Sequence, residues 1–177
     1  SKAIKALYIE AMLTPYPTTN EIGPWLLLFK GKNEDSDLEF GAYCRIASRE
    51  IVIDEALSDD NALALFVFEL TNAVQSERHM HNFDLAEKGQ LSREEFAKNI
   101  ENVENKGTIV QRYTICDGIG ELGWSSSLNI YRNSITDFEI KWSLTKNRPH
   151  TERIRKQWDS IQEYAKEMSK SEEVEKQ

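Results

Sequence analysis

The residues whose types and spacing could do chemistry lie together in the run F-E-L-T-N-A-V-Q, which holds Phe68, Glu69, Asn72 and Gln75. On a helix, positions i and i+4 are surface neighbours, so Phe68 and Asn72 would flank one patch with Glu69 beside them. A carboxylate there can serve as a general base or as a metal ligand. Shortly after comes H-M-H, with His79 and His81 near Glu77 and Asp84. That spacing can chelate a metal from a strand or loop, although a surface turn after a helix is its commoner origin. His150 stands alone. Cys44 and Cys116 are far apart, fit no metal spacing and sit in apolar surroundings, so they read as buried reduced thiols. No G-x-S-x-G elbow and no catalytic-cysteine signature is present. The glycines of D-G-I-G-E-L-G-W (Gly118, Gly120, Gly123) lack the order and the lysine of a P-loop and read as a flexible turn.

A helix has to hold the first patch. Over residues 60–78, Ala62, Leu63, Phe66, Val67, Leu70, Ala73 and Val74 fall on one apolar arc of a 100° wheel, which marks them as core. Phe68, Thr71, Asn72 and Gln75 point to the other side, with Leu65 and Glu69 on the flank. Ser58, Asp59 and Asp60 each offer a side-chain oxygen to cap the helix start. The polar side then serves either solvent or a site.

The five residues Phe68-Glu69-Leu70-Thr71-Asn72 have the spacing of H-E-x-x-H, in which two imidazoles hold zinc and the glutamate is the general base. Here the glutamate is kept and both imidazoles are replaced. The longer stretch F-G-A-Y-C-R-I-A-S-R-E-I-V-I-D, a short turn, and A-L-A-L-F-V-F-E-L-T-N-A-V-Q resembles the strand–turn–active-helix unit of zincin metallopeptidases. In particular it resembles the small bacterial effector and toxin-type members, whose helix often reads H-E-L-x-H-A-x-Q. Glu69, Leu70, Ala73 and Gln75 match that pattern; Phe68 and Asn72 depart from it at the ligand positions. The resemblance covers residues 40–104, under half the chain, and an ordinary core helix accounts for the same letters.

The resemblance implies a second helix that supplies a third ligand, with Glu104 the best placed glutamate and Glu101 the next. A catalytic zinc needs three ligands and an open position, and neither a phenyl ring nor an amide replaces an imidazole. The resemblance therefore points to a catalytically inactive zincin-like domain, with Glu69 vestigial, no metal and no cofactor. Phe68, Glu69, Asn72, Gln75 and Glu104 would line a cleft that binds another protein, with Phe68 either a plug or an anchor. The same resemblance suggests bacterial effector, toxin or immunity biology. Two alternatives stay open. One is an enzyme, either a metallopeptidase with substituted ligands such as His79, His81 and Glu104 or a concealed hydrolase. The other is an unrelated α+β interaction domain.

Around the patch the chain reads as α+β. Residues 2–13 have helical spacing and end at Pro15 and Pro17. Trp25–Lys30 suits a buried strand, Leu38–Ile46 a second strand joined to it as a hairpin, and Ile51–Asp54 a third. Ser92 with Glu95 forms a capping box that starts a helix whose inward stripe is Phe96, Ile100 and Val103, with Glu101 pointing outward. That helix either crosses Gly107 or breaks there. Residues 125–145 are ambiguous between helix and strand, and Thr151, Ile154, Trp158, Ile161, Ala165 and Met168 mark a final amphipathic helix. The expected organisation is a small sheet packed on a central helix with two or three further helices, in one domain over residues 1–170 with a frayed charged tail at 171–177.

Composition narrows the partners. The chain has 177 residues, 40% hydrophobic, with 22 basic and 30 acidic residues and a net charge of −8. That surface repels phosphate backbones and argues against nucleic acid. No apolar run reaches the ~18 residues of a membrane span, and no cleavable signal peptide is visible. The expected location is the cytoplasm, or delivery by a secretion system that needs no cleaved signal.

Overall fold

Short strands and long helices make the chain α+β in the computed structural model, which describes residues 9–11, 24–35, 38, 41–133 and 135–175. Of the helix expected over residues 2–13, the described part is helical at 9–11, and the remainder lies outside the described residues. The strands are β1 (Leu26–Lys30), β2 (Ala42–Arg45) and β3 (Glu50–Asp54), in the order β1-β3-β2. β1 runs parallel to β3, and β2 antiparallel to it. The hairpin expected between the first two strands is therefore a β2–β3 hairpin.

Two local causes explain that outcome. Gly41, at φ 86°, turns the chain out of extended conformation, so the second strand starts only at Ala42. The β2–β3 connection is short enough to close directly, with Arg49 at φ 54°. The buried Arg49 guanidinium stacks on Trp25, 4.9 Å from the ring centre, and donates to the Ala11 carbonyl at 3.0 Å. Asp35, in the connection after β1, pairs instead with Tyr43, Lys30 and Arg45.

Helix α1 (Asp59–Val74) lies on the sheet face formed by Ala42, Cys44, Ile51 and Ile53, which pack with Leu70 and Ala73. Val67 and Leu70 are buried as the wheel requires, whereas Leu63, Phe66 and Val74 are half-buried at the rims of the clusters. Ser58 is the residue before α1, and its side chain makes no capping bond. The helix stops short of Arg78: Gln75, at φ −93° and ψ 13°, separates it from α2 (Ser76–Glu87). The H-M-H run is thus helical, not a turn.

Helix α3 (Arg93–Glu121) crosses Gly107, Gly118 and Gly120 without a break, so the expected glycine loop begins only at Leu122. Each mid-helix glycine costs about 1 kcal/mol in propensity; close neighbours occupy the Cβ position at Gly107 and Gly118, while Gly120 faces open space. At Gly118 the Trp124 indole lies where a Cβ would be, 2.0 Å from its Cε3. Gly123, at φ 69°, turns the chain back so that the Trp124 N–H reaches the Gly118 carbonyl at 3.0 Å. Within residues 125–145 the described elements are helical: a tight 3-10 segment (Ser126–Asn133) and α4 (Phe138–Thr145), capped by the Asp137 carboxylate. Helix α5 (Pro149–Glu175) takes in most of the charged end that composition marks as frayed.

The contacts divide into two compact units. One comprises residues 1–77 and 104–136 and holds the sheet, α1 and the C-terminal part of α3; the other comprises 78–103 and 137–177. In the second, Phe96, Ala97, Ile100 and Ile154 form the core with Ala86, and Phe83 meets Phe96 edge-on at 5.3 Å. Among the described residues no helix is long and apolar enough to cross a membrane.

Candidate functional site

The polar side of α1 is neither on solvent nor open. Glu69, Thr71, Asn72 and Gln75 are all buried, and Ser76 is fully so. At Phe68 and Asn72 that side meets the part of α3 in the same unit. Its facing stripe is spaced for a helix side and is small or polar: Glu104, Gly107, Thr108, Gln111 and Thr114. Two contacts set the register. Gly107 meets Phe68 and Asn72, and Gln111 Nε2 donates to the Ala64 carbonyl at 2.5 Å. Contacts that fall along α1 as they rise along α3 make the two helices antiparallel.

Gly107 is what permits the approach. A Cβ built there would stand 3.2 Å from Phe68 Cε2 and 3.5 Å from Asn72 Oδ1. The two residues at the i and i+4 positions therefore press together on one backbone point of α3. Asn72 Nδ2 donates to Glu69 Oε2 at 3.0 Å, while among the described residues nothing donates to Asn72 Oδ1. Gln75 closes the end of α1, its N–H directed at the Thr71 and Asn72 carbonyls. Glu104 is half-buried one turn before Gly107 on the same side of α3, and its carbonyl accepts the Thr108 hydroxyl at 3.4 Å. By the antiparallel register it lies level with the end of α1.

On its other flank Glu69 faces the sheet. Burial pushes the Cys44 thiol well above its ordinary pKa; the nearby Glu69 carboxylate raises it further, and Arg49 opposes both. A thiol so held stays protonated and is a poor nucleophile or metal ligand. Cys44 and Cys116 are both free cysteines.

The two histidines of H-M-H do not converge. His79 and His81 lie two apart on α2, about 200° round the helix, and His79 is buried while His81 is exposed. They cannot grip one ion together. Glu101, expected to point outward, is buried and accepts the Thr151 hydroxyl at 2.5 Å. His150 is half-buried at the start of α5.

Sequence reasoning missed Gly107 and Gln111 as parts of this arrangement, and with them the depth of Glu69. The signal was the small and polar stripe on α3, legible only once Gly107 is read as helical. The donor set does not fit zinc. A phenyl ring has no lone pair to give, an amide is a weak donor, and the space between them ends at the Gly107 backbone. Compared with known proteins, the chain matches no family model, no curated protein and no solved structure.

Proposed function

We propose that this chain is a catalytically silent, zincin-like domain that acts by binding another protein. One observation supports the reading above all. The i,i+4 pair that would carry zinc ligands is a ring and an amide packed onto Gly107, and the glutamate between them is buried and hydrogen-bonded to that amide. A glutamate so placed, buried and tied to the amide one turn on, supports a core. The position of α1, directly after the strands and across their face, agrees with the strand–turn–helix unit that the sequence resembles. The effector, toxin or immunity setting rests on that resemblance alone.

The test restores the ligands. Purified wild-type protein should hold no stoichiometric zinc by elemental analysis. Phe68→His with Asn72→His should create a zinc site measurable by calorimetry, and Glu104→Gln in that background should weaken it. Zinc held tightly by the wild type and lost on His79→Ala or His81→Ala would instead establish a metalloprotein with substituted ligands. A folded double-histidine protein that binds no zinc would remove the zincin relation.

A further inference from the structure

We infer that the outer edge of β1 is the docking site, and that its occupant is an extended, basic-flanked segment of another protein that adds to the sheet as a fourth strand. The inference rests on the protein-binding reading and supplies its surface. β1 is an edge strand, and no strand among the described residues pairs with its outer side. The parallel register and the bonds from Leu26 N to the Arg49 carbonyl (2.8 Å) and from Glu55 N to the Lys30 carbonyl (3.1 Å) direct the peptide groups of Leu26, Leu28 and Lys30 toward β3. Alternation then turns the N–H and C=O of Leu27 and Phe29 outward. Those four groups are what an added strand recognises.

The side chains agree. Leu26, Leu27 and Phe29 are 51%, 44% and 58% exposed, although the run W-L-L-L-F-K has the composition of a buried strand. Leu27 and Phe29 stand on the face of Ile51 and Ile53, which carries α1, and Leu26 on the opposite face. An incoming strand with apolar residues at alternate positions would extend that core outward. Natural edge strands are normally blunted by charge, proline or a bulge. The one charge of β1, Lys30, sits at its end and pairs with Asp35 at 3.6 Å.

Charge and area choose the occupant. Just past the C-terminal end of β1 come two exposed glutamates, Glu34 in the following turn and Glu55, whose carboxylate lies beside Gly31, while Lys32 is paired with Asp54. A cationic residue flanking the guest strand meets these carboxylates and a molecule of net charge −8. A second copy would bring another −8. Three exposed side chains also fall far short of the roughly 800 Å² per partner of a stable interface between folded proteins. A single peptide strand needs much less.

The experiment uses the whole chain and two short synthetic strands of alternating valine and threonine, one with lysine ends and one with glutamate ends. Amide exchange is read at β1. The lysine-ended strand should slow exchange at Leu27 and Phe29, less so as salt is raised, and more than the glutamate-ended one. Leu27→Pro removes an outward N–H without touching the ladder to β3; it should abolish binding while Leu28 and Lys30 stay protected. Phe29→Lys, which charges the edge and keeps every backbone bond, should abolish it too and decides the matter if the proline variant does not fold. No protection by either strand, or binding that survives both variants, overturns the proposal. Protection of the same amides that grows with protein concentration alone would make a second copy the occupant, and would equally overturn it. Zinc in the wild type would remove the silent-domain reading and leave this edge result standing, so the two failures are distinguishable.

Discussion

At the scale of single residues, Gly107 decides how α1 and α3 meet. Gly107→Ala has two opposed effects. Alanine gains about 1 kcal/mol of helix propensity, while overpacking a tight contact costs about 1–3 kcal/mol. The added carbon would stand 3.2 and 3.4 Å from two carbons of the Phe68 ring and 3.5 Å from Asn72 Oδ1. Phe68 is held by the same seam, so overpacking should win by about 1 kcal/mol in the wild type. With Phe68→Leu in place the ring edge is gone, and the same substitution should become neutral or stabilising. Denaturant melts of the four proteins give the coupling. Additive effects would show that the contact is loose and that Gly107 serves only as a helix residue.

At the scale of elements, the local signals were the legible ones. Ser92 and Glu95 form the box their spacing announces: the Ser92 N–H reaches Glu95 Oε2 at 2.9 Å, and the Glu95 N–H reaches Ser92 Oγ at 3.3 Å. Ser92→Ala should cost about 1 kcal/mol and loosen exchange protection over the first turn of α3; unchanged protection at Glu95 would show that the cap contributes nothing. Phe96, Ile100 and Val103 likewise bury as their stripe requires. What the sequence hid was tertiary. Strand pairing depended on Arg49 finding Trp25 and on Gly41 leaving extended conformation, neither of which a hydrophobic pattern records. Gly107 and Gly118 read as breakers because their compensation comes from Phe68 and Trp124, which a local reading of α3 does not connect to them. The same blindness affected the candidate patch: a wheel shows Glu69, Asn72 and Gln75 as a polar side, and cannot show that all three are buried or that Gly107 closes on Asn72.

At the scale of the molecule, the chain carries a net charge of −8, yet one unit draws its acidic and basic groups into a connected lattice. Arg93 grips Asp159 through Nε and Nη2, at 3.0 and 2.9 Å, and reaches Glu152 at 3.0 Å. Arg155 grips Glu94 at 2.7 and 2.9 Å and also reaches Glu152 at 3.3 Å, which joins the two clusters. Hydrogen bonds from the arginines hold Glu94, Glu152 and Asp159 below the usual carboxylate range, and the Ser92 cap does the same for Glu95. A carboxyl group whose pKa is depressed on folding stabilises the fold above its unfolded value, about 4, and that contribution is lost as pH falls through the folded value. These groups are largely exposed, so each pair is weak and screened by salt; it is their sum along one slope that is measurable. Stability should therefore be flat near neutrality and fall steeply below about pH 4. Arg93→Gln returns Asp159 and Glu152 toward their unfolded values and should flatten the fall more than it lowers stability under acid conditions. Melts of both proteins from neutral to acid pH, at low and high salt, give the comparison. An acid slope identical in the two would mean that the lattice is decoration on a core held by Phe96, Ile100 and Ile154 alone.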